Sequence, residues 1–179
     1  MKSLIVYGSQ YGSAARYAQK LAELTGLPLA GYREAGDLAG YGCVVYLGGL
    51  YAGGVKGLKT ILPALPADAR LLLATVGLAD VQDPENIANI QKALAAQLPA
   101  AVLARTTVFH LRGGIDYEKL SLPHRAMMAL LYRHAKNLPP EKQSAEDRAI
   151  VATYNSRVDF VDYGSLEPLV AAIRQVEDA

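Results

Sequence analysis

Apolar positions along the chain follow two alternating rhythms. Ser3–Tyr7 is a short apolar, β-rich run, and Ser13–Leu24 follows with Tyr17, Ala18, Leu21 and Leu24 at helical spacing. Leu27–Gly31 reads as a short second strand and Ala35–Leu38 as a turn or short helix. Gly42–Leu47 is apolar on both faces, as a central parallel strand should be. Gly48–Gly57 reads as a glycine-rich loop and Leu58–Leu65 as a helix. Arg70–Val76 predicts a fourth strand, Gly77–Pro84 a loop, and Glu85–Leu98 a helix with Pro84 at its first turn. Ala101–Leu111 predicts a fifth strand. Ser165–Val176 closes the pattern as a helix with Ser165 as N-cap and Glu167 in the first turn.

Strands alternating with helices predict an α/β fold, a doubly wound five-stranded parallel sheet with crossover helices. The stretch 112–163 is long for a strand-to-helix connection. It predicts its own helix over Pro123–Asn137, a helix-like stretch Ser144–Tyr154, and a short strand Val158–Val161. The expected organisation is a single domain, 1–179, with a helical insertion at about 112–157 before the last helix. The ligand of such a sheet sits at the carboxyl ends of the strands, by the switch point in strand order.

Composition narrows the function. A chain of 179 residues, 51% hydrophobic and 20% charged, suits one ordered domain. A net charge of +1 gives no reason to expect nucleic acid. The single Cys43 leaves no internal disulfide or cysteine metal cluster, and its place in Cys43–Tyr46 reads as a buried strand residue. Met1–Lys2 runs straight into a strand with no secretory pattern, and the apolar runs are too short to span a bilayer, so a cytoplasmic protein is expected. His110, His124 and His134 lack metal-ligand spacing on one helix face, so no metal is expected. Ser9 is not set in a Gly-x-Ser-x-Gly elbow. Receiver-like phosphoryl chemistry needs an acidic cluster after strand one, where Gly8–Ser9 stands instead.

Three loops follow strand ends and should meet on one edge of the sheet. The first, Gly8–Ser13, lies between a strand and a helix start, where free N–H groups and the helix dipole favour an anion. Ser9 and Ser13 add hydroxyls, while Gly8 and Gly12 allow close backbone approach or positive φ. The second is Gly48–Gly54, with Tyr51 able to stack on a ring. The third is Thr75–Asp80. Together they suit a phosphorylated planar cofactor, the phosphate on the first loop and the ring between the other two. The first loop has no Gly-Lys-Ser/Thr closure and no Gly-x-Gly-x-x-Gly spacing, which sets aside Walker A and dinucleotide motifs.

The hydroxyl-rich loop Val6–Ser13 resembles the phosphate loop of flavodoxins, which bind FMN. Ser9 and Ser13 stand where that family places Ser or Thr, Gly12 stands near its loop glycine, and Gln10 and Tyr11 replace its small residues. Val44–Leu47 with Gly48–Gly54, Gly113–Tyr117 leading into Pro123–His134, and Val158–Tyr163 with Phe160–Ile173 resemble the branch containing bacterial menaquinone-dependent protoporphyrinogen oxidase. The resemblance implies FMN as cofactor. Ser9, Gln10, Tyr11, Gly12, Ser13 and Ala14 would bind its phosphate; Gly49, Leu50, Tyr51, Ala52, Gly53 and Gly54 one side of the ring; and Val76, Gly77, Leu78 and Asp80 the other.

Two functions follow. One is an FMN-dependent oxidoreductase or electron-transfer protein, its partner a redox protein or a quinone. A net charge of +1 argues against an acidic carrier steered by charge. Helix Pro123–Asn137, with an apolar stripe of Met127, Leu130, Leu131 and His134 beside Arg125, Arg133 and Lys136, either touches a membrane surface or partner, or covers the sheet as a satellite core. The other function is a partner-binding module with a degenerate cofactor site, which a bulky Gln10 or Tyr11 side chain folded into the phosphate site would favour.

Overall fold

The computed structural model describes residues 2–51 and 53–178. Its elements are, in order, β1 (Ser3–Gly8), α1 (Ser13–Thr25), β2 (Leu29–Gly31), β3 (Cys43–Tyr51), β4 (Gly54–Val55), α2 (Leu58–Ile61), β5 (Arg70–Gly77), α3 (Pro84–Gln97), α4 (Ala100–Leu103), β6 (Thr106–Arg112), β7 (Gly114–Asp116), α5 (Leu122–Asn137), α6 (Ala145–Thr153), β8 (Arg157–Asp159) and α7 (Glu167–Glu177). Five parallel strands form the main sheet in the order β2-β1-β3-β5-β6, and β4 folds back antiparallel on β3. The order reverses between β1 and β3. The chain therefore leaves the carboxyl ends of these neighbours in opposite directions and opens a crevice there.

Strand alternation divides the core. Leu4, Val6, Val44, Tyr46, Leu71 and Leu73 face one side with Leu58, Ile90 and Leu94. Ile5, Cys43, Val45, Leu47, Leu72 and Ala74 face the other, under Tyr17 and Leu21 of α1 and Leu169 and Ile173 of α7. Each fully buried aliphatic side chain contributes about 1.5–3 kcal/mol, so coverage of both faces carries most of the fold's stability. Burial also pushes the Cys43 thiol up to about 11, with Glu177 adding to it.

Four expectations shift. The predicted loop Gly48–Gly57 is instead the end of β3 and a hairpin: Gly48 and Gly49 pair with Thr75 and Val76, and Leu50 and Tyr51 with Val55 and Gly54. Ladder partners on both sides outweigh glycine's low strand preference. Leu58–Leu65 is helical only to Ile61 and finishes as a 3₁₀ turn, Leu62–Ala64, because Pro63 lacks the N–H that would continue it. The predicted strand Ala101–Leu111 begins as α4, and β6 starts only at Thr106. Ser165 is not the last N-cap: a 3₁₀ turn over Tyr163–Leu166 precedes α7, capped by the Asp162 carboxylate on Gly164 N–H, and the Ser165 hydroxyl donates to Asp162 O at 2.5 Å.

The segment between β6 and α7 leaves and rejoins the sheet at one point. Gly113 N–H donates to Gly77 O at 2.7 Å, and Phe160 N–H donates to Gly113 O at 3.2 Å. The Tyr17 hydroxyl ties both ends to α1, donating to Arg112 O at 2.8 Å and accepting from Asp162 N–H at 2.9 Å. Between these ties, β7 and β8 pair antiparallel. Ile115, Tyr117, Met128 and Ile150 then form a satellite core, with Tyr132 stacked on Tyr154 at 3.9 Å. The α5 stripe is rotated from the expected one. Met127 and Met128 pack inward, while Leu130 is 66% and Leu131 40% exposed, because the tyrosines of 117, 132 and 154 already fill the space. Ser144 caps α6 in a reciprocal capping box with Asp147.

Candidate functional site

The first loop is held open by its own geometry. Gly12 takes φ 94° at the start of α1, and no side chain caps that helix. Its first-turn N–H groups therefore remain available to an anion, and the first turn carries no carboxylate to compete. Ser9 Oγ accepts from Gly12 N–H at 3.0 Å and shapes the loop. Ser13 Oγ accepts from Gly114 N–H at 2.9 Å, so this hydroxyl also fastens the start of β7 to the loop. The two glycines have different roles. Gly12 supplies positive φ, and a methyl added there would meet nothing within 4 Å, whereas at Gly8 a Cβ would fall 1.9 Å from Lys56 O. Gly8 is the place where the β3–β4 hairpin presses against the first loop.

Gln10 and Tyr11 make their contacts with α5 and the satellite core. The Gln10 amide nitrogen lies 3.2 Å from His124 Nε2 on α5. The Tyr11 ring packs with the satellite core and stands edge-on to Tyr51 and His124, with centroids at 6.3 and 6.0 Å. Burial and the neighbouring Tyr51 push the Tyr11 hydroxyl up to about 12. These two side chains dock the insertion on the first loop.

The second loop is fixed from beneath and behind. The buried Tyr46 hydroxyl donates to Lys56 O at 2.5 Å, and burial raises its pKa. Gln97 clips the hairpin tip, accepting from Val55 N–H at 3.2 Å and donating to Gly53 O at 3.3 Å. The Lys56 ammonium sits 5.0 Å from the centre of the Tyr51 ring. In the third loop, Leu78 O accepts from the Arg112 guanidinium at 3.0 Å, and that guanidinium stacks 3.8 Å from the Phe160 ring centre.

The three loops enclose one cavity of about 450 Å³ at the switch point. Ser9, Gln10, Tyr11, Ser13 and Ala14 line it from the first loop, Gly49, Leu50, Tyr51, Gly53 and Gly54 from the second, and Val76, Gly77 and Leu78 from the third. Gly12 and Asp80 do not line it. Asp80 serves its own turn, its carboxylate accepting from Gln82 N–H at 2.9 Å and its carbonyl from the Asn86 amide at 2.8 Å. Ala52 lies outside the described residues.

The cavity extends beyond the predicted residues. Asn86, Asn89, Ile90, Ala93 and Gln97 form one face of α3 in its wall, a helical repeat visible in the sequence but indistinguishable there from an ordinary packing face. Met127, Met128 and Leu131 of α5 and Ser144, Glu146 and Ile150 at α6 close the far side. Nothing in the spacing of these residues marks them as neighbours of the first loop; the contact exists because the insertion folds back over it. Glu146 has no hydrogen-bond or ion-pair partner among the described residues. The surrounding protein, and secondly Asp147, raise its pKa, and its side chain is exposed to solvent. Arg148 beside it bridges Asp83 and Glu85 at the start of α3, at 3.1 and 3.0 Å. His110, half-buried on β6, contacts the Thr75 hydroxyl through Nδ1 at 2.8 Å, and burial lowers its pKa.

A doubly wound parallel sheet with its cavity at the switch point, walled by the loops after β1, β3 and β5, defines a class of α/β ligand-binding proteins. The chain belongs to the flavodoxin domain family, whose sequence profile matches residues 4–140. No curated protein sequence matches it. Solved structures similar to this chain include a Bacteroides uniformis protein assigned as a flavoprotein, at 16% identity over 65% of this chain and 93% of that one, with a TM-score of 0.49. A flavodoxin variant of Pseudomonas aeruginosa is similar at 20% identity over 76% and 97%, with a TM-score of 0.41. A Lactobacillus acidophilus flavoprotein in complex with FMN is similar at 14% identity over 62% and 91%, with a TM-score of 0.42. Among the described residues, no helix is long and apolar enough to cross a membrane.

Proposed function

We propose that the protein binds FMN and transfers electrons through it as an oxidoreductase. The observation that carries this reading is a cavity that joins an uncapped helix start to an aromatic-lined slot between two strand-end loops. Its volume lies in the range of cofactor sites. The α1 N–H groups with Ser9 and Ser13 hold the phosphate, Tyr51, Gly53 and Gly54 cover one side of the ring, and Val76, Gly77 and Leu78 the other. FMN, when bound, supplies reversible uptake of electrons. The residues around it position the ring, exclude water through Leu50, Leu78 and Met127, and fix the loops through Tyr46, Gln97 and Arg112.

The partner-binding alternative needs Gln10 or Tyr11 folded into the phosphate site, and the engagement of both side chains with α5 and the satellite core speaks against it. A protoporphyrinogen-oxidase-like reaction is the finer reading, and the electron partner is a quinone or redox protein approaching over α5. Leu122 and Leu130, 81% and 66% exposed beside Arg125 and Arg133, support approach from that side. Oxidation of protoporphyrinogen by the flavin-loaded protein, with a quinone as acceptor, tests the finer reading; a bound flavin inert to both confines the function to electron transfer with a protein partner.

A further inference from the structure

A hydrogen-bonded chain runs from the ring side of the cavity to the surface. Tyr51 lines the cavity, and its hydroxyl lies 3.1 Å from His124 Nε2. His124 Nδ1 lies 2.8 Å from Ser121 Oγ, and Ser121 is exposed. The Gln10 amide nitrogen, a donor, also faces Nε2 at 3.2 Å. With the Gln10 amide donating, Nε2 accepts, and the tautomer that completes the chain carries its proton on Nδ1, pointed at Ser121. Tyr11, Tyr51 and His124 stand mutually edge-on, which fixes the ring orientations. The charged and titratable groups around the imidazole are few. Tyr11 and Tyr51 touch it, and Lys56 stands on the Tyr51 ring. Arg125, next on α5, is turned to Tyr117 O and Glu118 O. Among the described residues no carboxylate is hydrogen-bonded to it.

We propose that Tyr51, His124 and Ser121 form a proton relay between the flavin side of the cavity and solvent, so that the site serves substrates exchanging protons together with two electrons. This rests on the FMN reading above. In the oxidising direction, bound FMN would supply the oxidant, taking two electrons and one hydrogen as hydride from a substrate with an O–H or N–H beside its transferable hydrogen. Its remaining proton passes to Tyr51 Oη as the Tyr51 proton moves to His124 Nε2. The Nδ1 proton leaves to Ser121, and the Ser121 proton to water. One proton enters the chain and one leaves it. Reduction of a quinone-like acceptor runs the same chain backwards. A carrier of single electrons has no use for this connection.

The test compares two acceptors on dithionite-reduced, FMN-loaded protein. Menadione takes up protons with its two electrons; ferricyanide takes electrons alone. His124→Gln retains hydrogen bonding without a basic nitrogen, and Tyr51→Phe removes only the hydroxyl. Each variant should slow reoxidation by menadione by about 10²-fold, the usual scale for a lost acid–base group, and His124→Gln, which lies outside the flavin contacts, should leave ferricyanide unchanged. Free imidazole should restore the menadione rate in His124→Ala. In flavin-free protein, ¹⁵N NMR should show His124 Nε2 proton-free, with its shift moved by Tyr51→Phe. Equal slowing of His124→Gln with both acceptors, or slowing with neither, overturns the relay while FMN binding stands. Absence of FMN binding overturns the proposed function and the relay with it.

Discussion

Replacing Gly8 by Ala tests how the first loop and the β3–β4 hairpin are fitted together. The added Cβ would lie 1.9 Å from Lys56 O and 2.6 Å from the Tyr46 hydroxyl, against ordinary contacts of 3.4–4 Å. Backbone is involved, so no side-chain rotation relieves the clash; the hairpin must withdraw by about 1.5 Å, the gap between that approach and the shortest ordinary contact. Overpacking of this kind costs about 1–3 kcal/mol. Withdrawal also separates Tyr46 from Lys56 O, and a buried group left without its partner costs about 1–3 kcal/mol more. Together the loss is about 2–6 kcal/mol, or, at about 2–4 °C per kcal/mol for a domain of this size, about 4–24 °C in Tm. Gly12→Ala provides the contrast. Nothing lies within 4 Å of the new methyl, so only its positive φ is penalised, by about 1–2 kcal/mol. Far-UV circular dichroism melts of both variants measure the difference. The fitted-loop argument is refuted if Gly8→Ala melts with the wild type, or if Gly12→Ala is the more damaging change.

Ser13→Ala removes the acceptor for Gly114 N–H and should cost about 1–3 kcal/mol in urea unfolding, with weaker FMN binding; an unchanged unfolding midpoint would contradict the role given to this hydroxyl. Glu146 has a folded-state pKa raised above its unfolded value, so the native state binds the extra proton. Its contribution to stability is present below about pH 4.5 and lost as pH rises through the raised value. Glu146→Gln should therefore raise Tm slightly at pH 7 and flatten the pH–Tm curve above pH 5; a lowered Tm at pH 7 would show an ion partner that the structure lacks. Arg148→Ala breaks two solvent-screened ion pairs and should leave Tm almost unchanged in thermal melts, with any small loss disappearing in high salt.

The sheet was legible because each long strand carries its own pattern. Both faces of Val44–Leu47 are covered, and the flanking helices repeat at helical spacing, so local sequence and tertiary context agree. The second loop was misread because Gly48 and Gly49 have weak intrinsic strand preference, and only the neighbours β1 and β5 make them strand. The loop that opens α1 was legible from Ser9, Gly12 and the helix pattern, all within six residues. The far wall was not. Met127, Glu146 and Ile150 reach the cavity through contacts more than a hundred residues from the first loop, and no periodicity encodes them. Gln10 and Tyr11 show the same limit. They depart from the flavodoxin loop pattern, and their partner is His124, visible only once α5 is folded over the loop.

The central claim is tested most directly by titrating the purified, flavin-free protein with FMN and following flavin fluorescence and visible absorbance. The account predicts saturable quenching at one FMN per chain, a shifted visible spectrum, and no such response to riboflavin, which lacks the phosphate. Unquenched fluorescence with an unshifted spectrum, or equal binding of riboflavin, would contradict it.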